Sequence, residues 1–156
     1  RRKEEAQVLM EAMHTGHSVY ATIHANNAEE VVMRLTNPPI DIPKPMLASL
    51  SLILVQNRNR RTGKRRTLQI AEVNASGDSR VIMKLNVQKD VIEKITESET
   101  MMETLELYTG FTRDELEFEI EQKVKILQWM VKNNIEEVNE VGETLAKYYL
   151  GRLKLE

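Results

Sequence analysis

The change in hydrophobic period near residue 88 limits this chain to a sheet followed by helices. Between residues 51 and 86, apolar residues come in short runs of strand length, separated by turns at Gly63 and Gly77. Such runs predict an antiparallel meander, because each turn returns the chain beside the strand it has just left. After residue 88 the apolar residues recur at helical spacing. We therefore predict an α/β fold followed by an all-α C-terminal subdomain.

Local patterns predict the elements before residue 88. Apolar positions over 3–14 have helical spacing, and alternation over 18–25 indicates a strand that ends at His24. Asn26 or Asn27 is then placed to cap the next helix. The continuous apolar run over 51–56 predicts a strand that is buried on both of its faces.

Helices are predicted for the rest of the chain. The apolar residues between 91 and 102 indicate one or two short helices, and Thr112 with Glu115 forms the sequence pattern of a capping box. A last helix is expected to begin near Glu136. The helix behind the capping box is predicted to bury the apolar stripe Leu116, Ile120, Val124, Leu127 and Val131.

Composition excludes several classes of site. The chain has no cysteine, which excludes disulfides and thiolate metal sites, and its three histidines lack a clear carboxylate spacing, so we expect no metal site. No apolar run approaches the roughly 18 residues that span a membrane. The net charge of −2 conceals six basic residues between Arg58 and Arg66 and eleven acidic residues between Asp90 and Glu121. This segregation can steer charged partners.

The segment from Thr15 to Asn26 holds the strongest candidate for chemistry. It carries two histidines, His17 just before the predicted strand and His24 at the end of that strand. Ligands bind at the carboxyl ends of strands in open α/β sheets, and a histidine placed there can contact a phosphate or carry a proton. On its own, however, a histidine at a strand end is more often structural, and His17 could simply fix the turn before the strand.

This segment resembles the His box of the secretion-ATPase superfamily. These hexameric ATPases drive type II secretion, type IV pili, type IV secretion and the archaeal flagellum (archaellum). The resemblance is close over residues 1–75, loose over the helical remainder, and strongest to the archaeal branch. Residues 2–6 and 11–13 also resemble the helix after the Walker B motif, and residues 34–39 and 45–47 resemble the next helix and turn. Residues 65–66 and 69–73 resemble the paired arginines and the strand that closes the motor domain.

The resemblance implies a RecA-like motor fold and a division of the chain. Residues 1–88 would form the C-terminal part of a RecA-like ATPase domain with a mixed sheet, and residues 89–154 a helical C-terminal subdomain. Residues 155–156, Leu-Glu, are typical of a scar before an affinity tag.

The resemblance also implies roles for individual residues. His24 would be the catalytic residue that senses the nucleotide γ-phosphate. Support of the nucleotide site would come from Thr22, His17, Arg2 and Glu5. Arg34, Arg65 and Arg66 would contact a neighbouring subunit or phosphate. For Arg34, a helix-surface ion pair with Glu30 is an equally good interpretation.

The chain lacks the motif that binds the nucleotide phosphates. Its one Gly-Lys pair is Gly63-Lys64, and Arg58 stands where a P-loop has its first glycine. In the family, the P-loop and the Walker B glutamate precede the segment at which this sequence starts. We therefore expect a C-terminal piece of a longer ATPase. The intact protein would use ATP and Mg²⁺, while the piece would bind neither and would not hydrolyse ATP alone.

Partners follow from the resemblance, and two other functions stay open. The intact protein would form a hexameric ring in the cytoplasm, at the inner face of the cell membrane, and would act on a polytopic membrane platform through peripheral association only. The first alternative is a non-catalytic module that docks a membrane platform or a neighbouring subunit. The second is nucleic-acid binding through residues 58–66, which is not expected because the isoelectric point is near 6.0.

Overall fold

The structure is a computed structural model that describes residues 2–153, apart from the side chain of Arg2. The chain divides into two compact units, Arg1–Glu103 and Thr104–Glu156. The predicted tag residues 155 and 156 lie outside the described residues. The predicted domain boundary at residue 88 stays a prediction.

The first unit is built on a four-stranded sheet. The strands are β1 (Leu52–Arg58), β2 (Arg65–Val73), β3 (Ser79–Asn86) and β4 (Val91–Lys94), and they lie side by side in chain order. Every neighbouring pair is antiparallel. The meander predicted over 51–86 is therefore confirmed. The mixed sheet is not found in the described residues, whose strands follow each other through hairpins.

The fourth strand corrects the helix predicted from residue 91. Val91 pairs with Asn86 and Lys94 with Met83, which adds a strand at the edge of the sheet. The Asn86 side chain accepts hydrogen bonds from the backbone N–H groups of Gln88 and Lys89 and so forms the turn. Four residues are too few for apolar spacing to distinguish a strand from a helix, and pairing with β3 decides the outcome.

Burial of β1 is one-sided, which corrects a second prediction. Ile53 and Val55 are buried, whereas Leu54 between them is 56% exposed. Alternate residues of a strand point to opposite faces, and only one face of this antiparallel sheet lies against the core.

Two α-helices and a 3₁₀ helix complete most of the first unit. They are α1 (Arg2–His14), α2 (Ala28–Thr36) and the 3₁₀ helix Lys44–Ser49. Asn27 caps α2, since its side-chain oxygen accepts a hydrogen bond from the Glu30 N–H at 2.7 Å. The core lies between these helices and the sheet and is formed by Met10, Ala28, Val31, Leu35, Ile42, Leu47, Ile53, Val55, Ala71 and Val73.

The strand predicted over 18–25 is not present in the structure. Residues 17–25 have neither helix nor strand conformation. An isolated extended segment gains little, because a strand is stabilised by the ladder and side-chain pairs it makes with a neighbour. Within the described chain, the paired strands are β1 to β4, and none of them pairs with this segment.

The second unit is helical. The helix α3 (Glu99–Thr109) begins before this unit and continues into it, followed by α4 (Arg113–Lys132) and α5 (Val138–Tyr149). The capping box at the start of α4 is confirmed. The Thr112 hydroxyl accepts from the Glu115 N–H, and the Glu115 carboxylate accepts from the Thr112 N–H at 2.8 Å.

The buried face of α4 differs from the predicted stripe. Leu116 is buried as predicted, and Ile126 and Met130 are buried with it. The other four predicted residues are exposed, with exposed fractions of 40% for Ile120, 45% for Val124, 55% for Leu127 and 78% for Val131. Helical spacing shows that a stripe exists, whereas the direction of the neighbouring elements decides which stripe is buried.

Candidate functional site

The turn between α1 and the histidine segment is fixed by Thr15 and His17. The Thr15 hydroxyl bonds the carbonyls of Glu11 and Ala12 at the end of α1, at 3.1 and 3.0 Å. It also lies 3.0 Å from Nδ1 of His17, whose backbone N–H donates to the Ala12 carbonyl. Gly16 has a φ of +85°, a conformation that glycine adopts at little cost. His17 therefore holds the start of the segment against α1.

His24 is exposed, and the structure gives no hydrogen bond to its ring within the described residues. The chain is fixed again just after it. The carboxylate of Glu30 accepts from both the backbone N–H and the side-chain amide of Asn26, each at 2.8 Å. The segment between His17 and Asn26 thus joins two anchored ends, and the imidazole of His24 is free to bond a partner.

Arg34 makes the ion pair that its spacing allows. Its Nε and Nη2 donate to one oxygen of Glu30 at 2.8 and 2.5 Å, with the two residues one helical turn apart. The hydrogen bond from the Asn26 backbone, followed by that from Arg34, lowers the pKa of the Glu30 carboxyl. Glu30 consequently carries a negative charge at neutral pH and links the histidine segment to α2.

The paired arginines differ from each other in their contacts. Arg66 forms a two-point ion pair with Asp90, with distances of 2.7 Å from Nε to Oδ1 and 2.6 Å from Nη2 to Oδ2. The hydrogen bonds from Arg66 hold the pKa of the Asp90 carboxyl below its ordinary value. Arg65 is exposed, and its side chain makes no bond among residues 2–153. Only Arg65 of this pair is therefore free to contact a ligand.

The remaining predicted site residues are separate from one another. Thr22 and Glu5 are exposed, and the side chain of Arg2 lies outside the described residues. One hydrogen bond joins two of the predicted residues in the described chain, from Nη1 of Arg66 to the Arg65 carbonyl at 2.9 Å. The predicted site residues therefore do not line a single pocket in the described chain, and their common role at a nucleotide site stays a prediction.

Sequence reasoning missed the most buried polar cluster, which is centred on Glu72. This carboxylate is 1% exposed and accepts hydrogen bonds from Ser98 Oγ at 2.9 Å and from Arg80 Nε at 3.0 Å. The backbone N–H of Met101 donates to it as well. The Arg80 guanidinium also donates to the carbonyl of Glu97 at 3.2 Å. The cluster therefore ties β2 and β3 to the chain at the start of α3.

The sequence carried a signal for this cluster. The turn at residues 76–78, which was predicted, places Glu72 directly opposite Arg80 in the β2–β3 ladder. A carboxylate between two apolar residues, Ala71 and Val73, needs a partner if it is buried. Burial raises the pKa of the Glu72 carboxyl, but the hydrogen bonds from Arg80 and Ser98 and the Arg80 charge outweigh it, so the pKa is lowered overall.

Over residues 2–153, no group of three or more His, Asp or Glu side chains is arranged to hold a metal ion. None of the helices in that range is both long enough and apolar enough to cross a membrane.

Comparison with known proteins identifies the family. The family model for type II/IV secretion system proteins matches residues 1–140. This match includes the histidine segment, the whole sheet and most of the helical region. The chain therefore belongs to the family of type II/IV secretion system proteins, whose members are generally ATPases.

Relatives with similar sequences occur in the archaeon Methanocaldococcus jannaschii, where they are uncharacterized proteins. One is 35% identical over 142 residues, covering 86% of this chain and 20% of the relative. A second is 33% identical over 147 residues, covering 87% and 54%. A third is 28% identical over 160 residues, covering 95% and 29%. The chain thus spans between a fifth and about half of the length of these relatives.

Proposed function

We propose that this chain is the C-terminal part of an ATPase that couples ATP hydrolysis to protein export or filament assembly. The observation that carries the proposal is the family match over residues 1–140, which spans the whole histidine segment. The protein that contains the chain would hydrolyse ATP, and the chain by itself would be inactive. This follows because its sequence holds neither a P-loop nor a Walker B glutamate.

The chain's own residues fit one side of a nucleotide site. The imidazole of His24 is free to donate a hydrogen bond to an anion, which suits a sensor of the γ-phosphate. When bound, Mg–ATP supplies the phosphoryl group whose charge changes on hydrolysis. His17 would hold the segment in place against α1, with Thr22, Glu5 and Arg2 in support. Residues 18–25 would pair as a strand of a RecA-like sheet in the intact protein.

The arginines divide between structural and interface roles in this proposal. Arg34 and Arg66 are engaged by Glu30 and Asp90, so they act first by holding their own elements. Arg65 keeps a free guanidinium and is the better candidate for contact with a neighbouring subunit or a phosphate.

The proposed assembly is a hexameric ring at the cytoplasmic face of the cell membrane. There it would move a polytopic platform protein, and the association with the membrane would be peripheral. Loss of γ-phosphate contacts would release a closed state of the site, as it does in other switches of this kind. This coupling would turn hydrolysis into motion of the platform.

A non-catalytic docking module is the second candidate function. It is favoured by the exposed acidic residues of α4, among them Glu117 and Glu121. In this alternative, residues 90–154 bind a basic cytoplasmic loop of a platform protein without any part in hydrolysis.

The substitution His24→Ala tests the sensor role. In the intact protein that contains this chain, we expect ATP turnover to fall by about 10²-fold, because a group that positions charge in the transition state contributes on that order. His14→Ala is the matched control, since His14 bonds the Met10 carbonyl within α1 and lies outside the histidine pattern. Turnover is measured with ring assembly monitored in parallel.

Two results would contradict the proposal in different ways. Unchanged turnover in the His24→Ala protein would make His24 a structural residue. ATP hydrolysis by the 156-residue chain alone would mean that the nucleotide site lies elsewhere than proposed.

A further inference from the structure

The hairpin between β1 and β2 carries four arginines whose side chains have no partner among residues 2–153. Among its six cations, Lys64 and Arg66 pair with Asp90, at 3.8 and 2.6 Å. The other four are exposed and make no side-chain bond within the described chain: Arg58, Arg60, Arg61 and Arg65. This segment, residues 58–66, is called the arginine hairpin below.

The arginine hairpin has a defined turn. The Asn59 side-chain oxygen accepts hydrogen bonds from the N–H groups of Arg61 and Thr62 at 2.9 and 3.0 Å. The Asn59 backbone bonds Gly63 and Lys64, each at 2.8 Å. The turn therefore presents its guanidinium groups from an ordered backbone, which lowers the entropy lost when they bind.

Like charges lie opposite each other at the base of this turn. Arg58 is the direct cross-strand partner of Arg65. Facing cations destabilise a hairpin, and no carboxylate of the described residues forms an ion pair with either arginine. An anionic partner would relieve the repulsion, so the arrangement indicates a surface that binds negative charge.

A matching acidic surface lies on the second unit of the same chain. Asp114, Glu117 and Glu121 follow one another at i, i+3 and i+7 on α4, so they share a face. All three are exposed and unpaired within residues 2–153. The neighbouring acids differ, because Glu115 is used in the capping box and Glu119 pairs with Lys123.

The surface beside these acids suits guanidinium groups in particular. An open groove of ≈ 360 Å³ is lined by Phe111, Asp114, Glu115, Phe118 and Glu119. Phe111 and Phe118 are 44% and 59% exposed. Arginine stacks on aromatic faces and also pairs with carboxylates, so a groove with both groups favours arginine over lysine.

We propose that the arginine hairpin of one copy binds a second copy at two adjoining surfaces. One is the acidic face of α4, formed by Asp114, Glu117 and Glu121, and the other is the groove that contains Phe111 and Phe118. The contact joins two different surfaces, so repeating it adds copies head to tail, as a closed ring requires. The inference deepens the proposed function, because it names the surfaces that would join neighbouring subunits. It rests on the proposed function, which supplies the ring that these subunits form.

A protein partner fits the arginine hairpin better than a membrane or a nucleic acid. Residues 56–67 contain no aromatic and no aliphatic residue that could insert into a bilayer interface or stack on a base. All four cations of the hairpin that are unpaired in the described chain are arginines, whose planar fork matches carboxylates. The chain itself supplies the complementary carboxylates.

Reciprocal charge reversal tests the contact in the full 156-residue chain. One variant carries Arg60→Glu and Arg61→Glu, and the other carries Glu117→Arg and Glu121→Arg. Sedimentation velocity measures self-association at about 0.1 M and about 1 M salt. The control, Lys84→Glu with Arg152→Glu, changes the net charge by the same amount and sign as the Arg60→Glu, Arg61→Glu variant, at exposed sites outside both surfaces. Circular dichroism checks that each variant is folded.

Association in an equimolar mixture of the two reversed variants is the decisive result. Each reversed variant should associate about tenfold or more weakly than the parent, while the control should not. An equimolar mixture of the two should regain association, because each hairpin then meets a surface of opposite charge. High salt should weaken the parent and the mixture alike.

Three results would overturn the inference. The first is undiminished association of either variant, and the second is two weakened variants that do not recover when mixed. The third concerns the Arg60→Glu, Arg61→Glu variant alone. If this variant self-associates as the parent does but no longer binds anionic phosphatidylserine vesicles, the hairpin binds a membrane. None of these measurements uses ATP. Failure of the contact is therefore distinguishable from failure of the proposed ATPase, which is judged by turnover in the intact protein.

Discussion

At the scale of single residues, the buried carboxylate of Glu72 matters most for stability. It is almost fully buried, whereas the ion pairs of Arg34 and Arg66 lie at the surface. Surface pairs contribute little because water screens them. A buried carboxylate must instead be fully bonded, and Glu72 is bonded by Arg80, Ser98 and the backbone N–H of Met101.

Glu72→Gln should destabilise the fold. The amide keeps the shape of the side chain but loses the charge that Arg80 pairs with, and its NH₂ group faces donors. We expect the free energy of unfolding at pH 7 to fall by about 1–3 kcal/mol in urea titrations. Glu103→Gln, which removes an exposed carboxylate, should change it by less than about 0.5 kcal/mol.

The parent and the Glu72→Gln protein also give the pH dependence of this loss of stability. The folded pKa of Glu72 lies below its ordinary value of 4.5, so the ionised carboxylate stabilises the fold at higher pH. The stability difference between the parent and Glu72→Gln should be full at neutral pH. It should shrink as the pH falls below the ordinary value and through the folded pKa. A difference that is constant down to strongly acidic pH would contradict this role of the charge.

At the scale of elements, tight turns position the strands of the meander. The turn between β2 and β3 contains Gly77, with a φ of +78°, and it packs against the start of the 3₁₀ helix. A Cβ at Gly77 would lie 2.0 Å from the backbone oxygen of Lys44. The Asp78–Lys44 ion pair, at 2.6 Å, joins the same two segments.

Gly77→Ala and Gly63→Ala form a matched pair of substitutions. Both glycines have positive φ, but a Cβ at Gly63 would meet nothing within 4 Å. We expect Gly63→Ala to cost only the backbone term of about 1–2 kcal/mol. Gly77→Ala adds a steric clash and should cost about 3 kcal/mol or more. Urea midpoints at unchanged m-value measure both, and equal costs would show that the turn moves away from Lys44.

At the scale of the whole molecule, the two units differ in how much they bury. The first unit has a core of ten buried apolar residues shared by its helices and sheet. The buried residues of α4 and α5 are fewer: Leu116, Ile126, Met130 and Thr144. Local stability follows buried apolar contacts, so the two units should differ in stability.

Trp129, the sole tryptophan, allows the second unit to be followed separately. We expect its fluorescence to change at a lower urea concentration than the hydrogen-exchange protection of β2, because α4 buries less apolar surface. The parent chain is used, with far-UV circular dichroism to record both units together. Coincident transitions by all three probes would mean that the units unfold as one.

Much of the local structure could be predicted from the sequence. The turns at Gly63 and Gly77, the cap at Asn27 and the capping box at Thr112 depend on neighbours within a few residues, and the structure contains all of them. The family could also be recognised, because the histidine segment is a short contiguous pattern that survives without its structural context.

The tertiary structure decided what depends on distant partners. Residues 18–25 have strand-like alternation but no ladder, whereas residues 91–94, which were predicted to be helical, pair with β3. Exposure of Leu127 and Val131 on α4 was also settled by packing. The sequence alone therefore determined turns, caps and family, since these are local. Pairing and burial were decided only by the fold, because their free energy comes from surfaces that meet from distant parts of the chain.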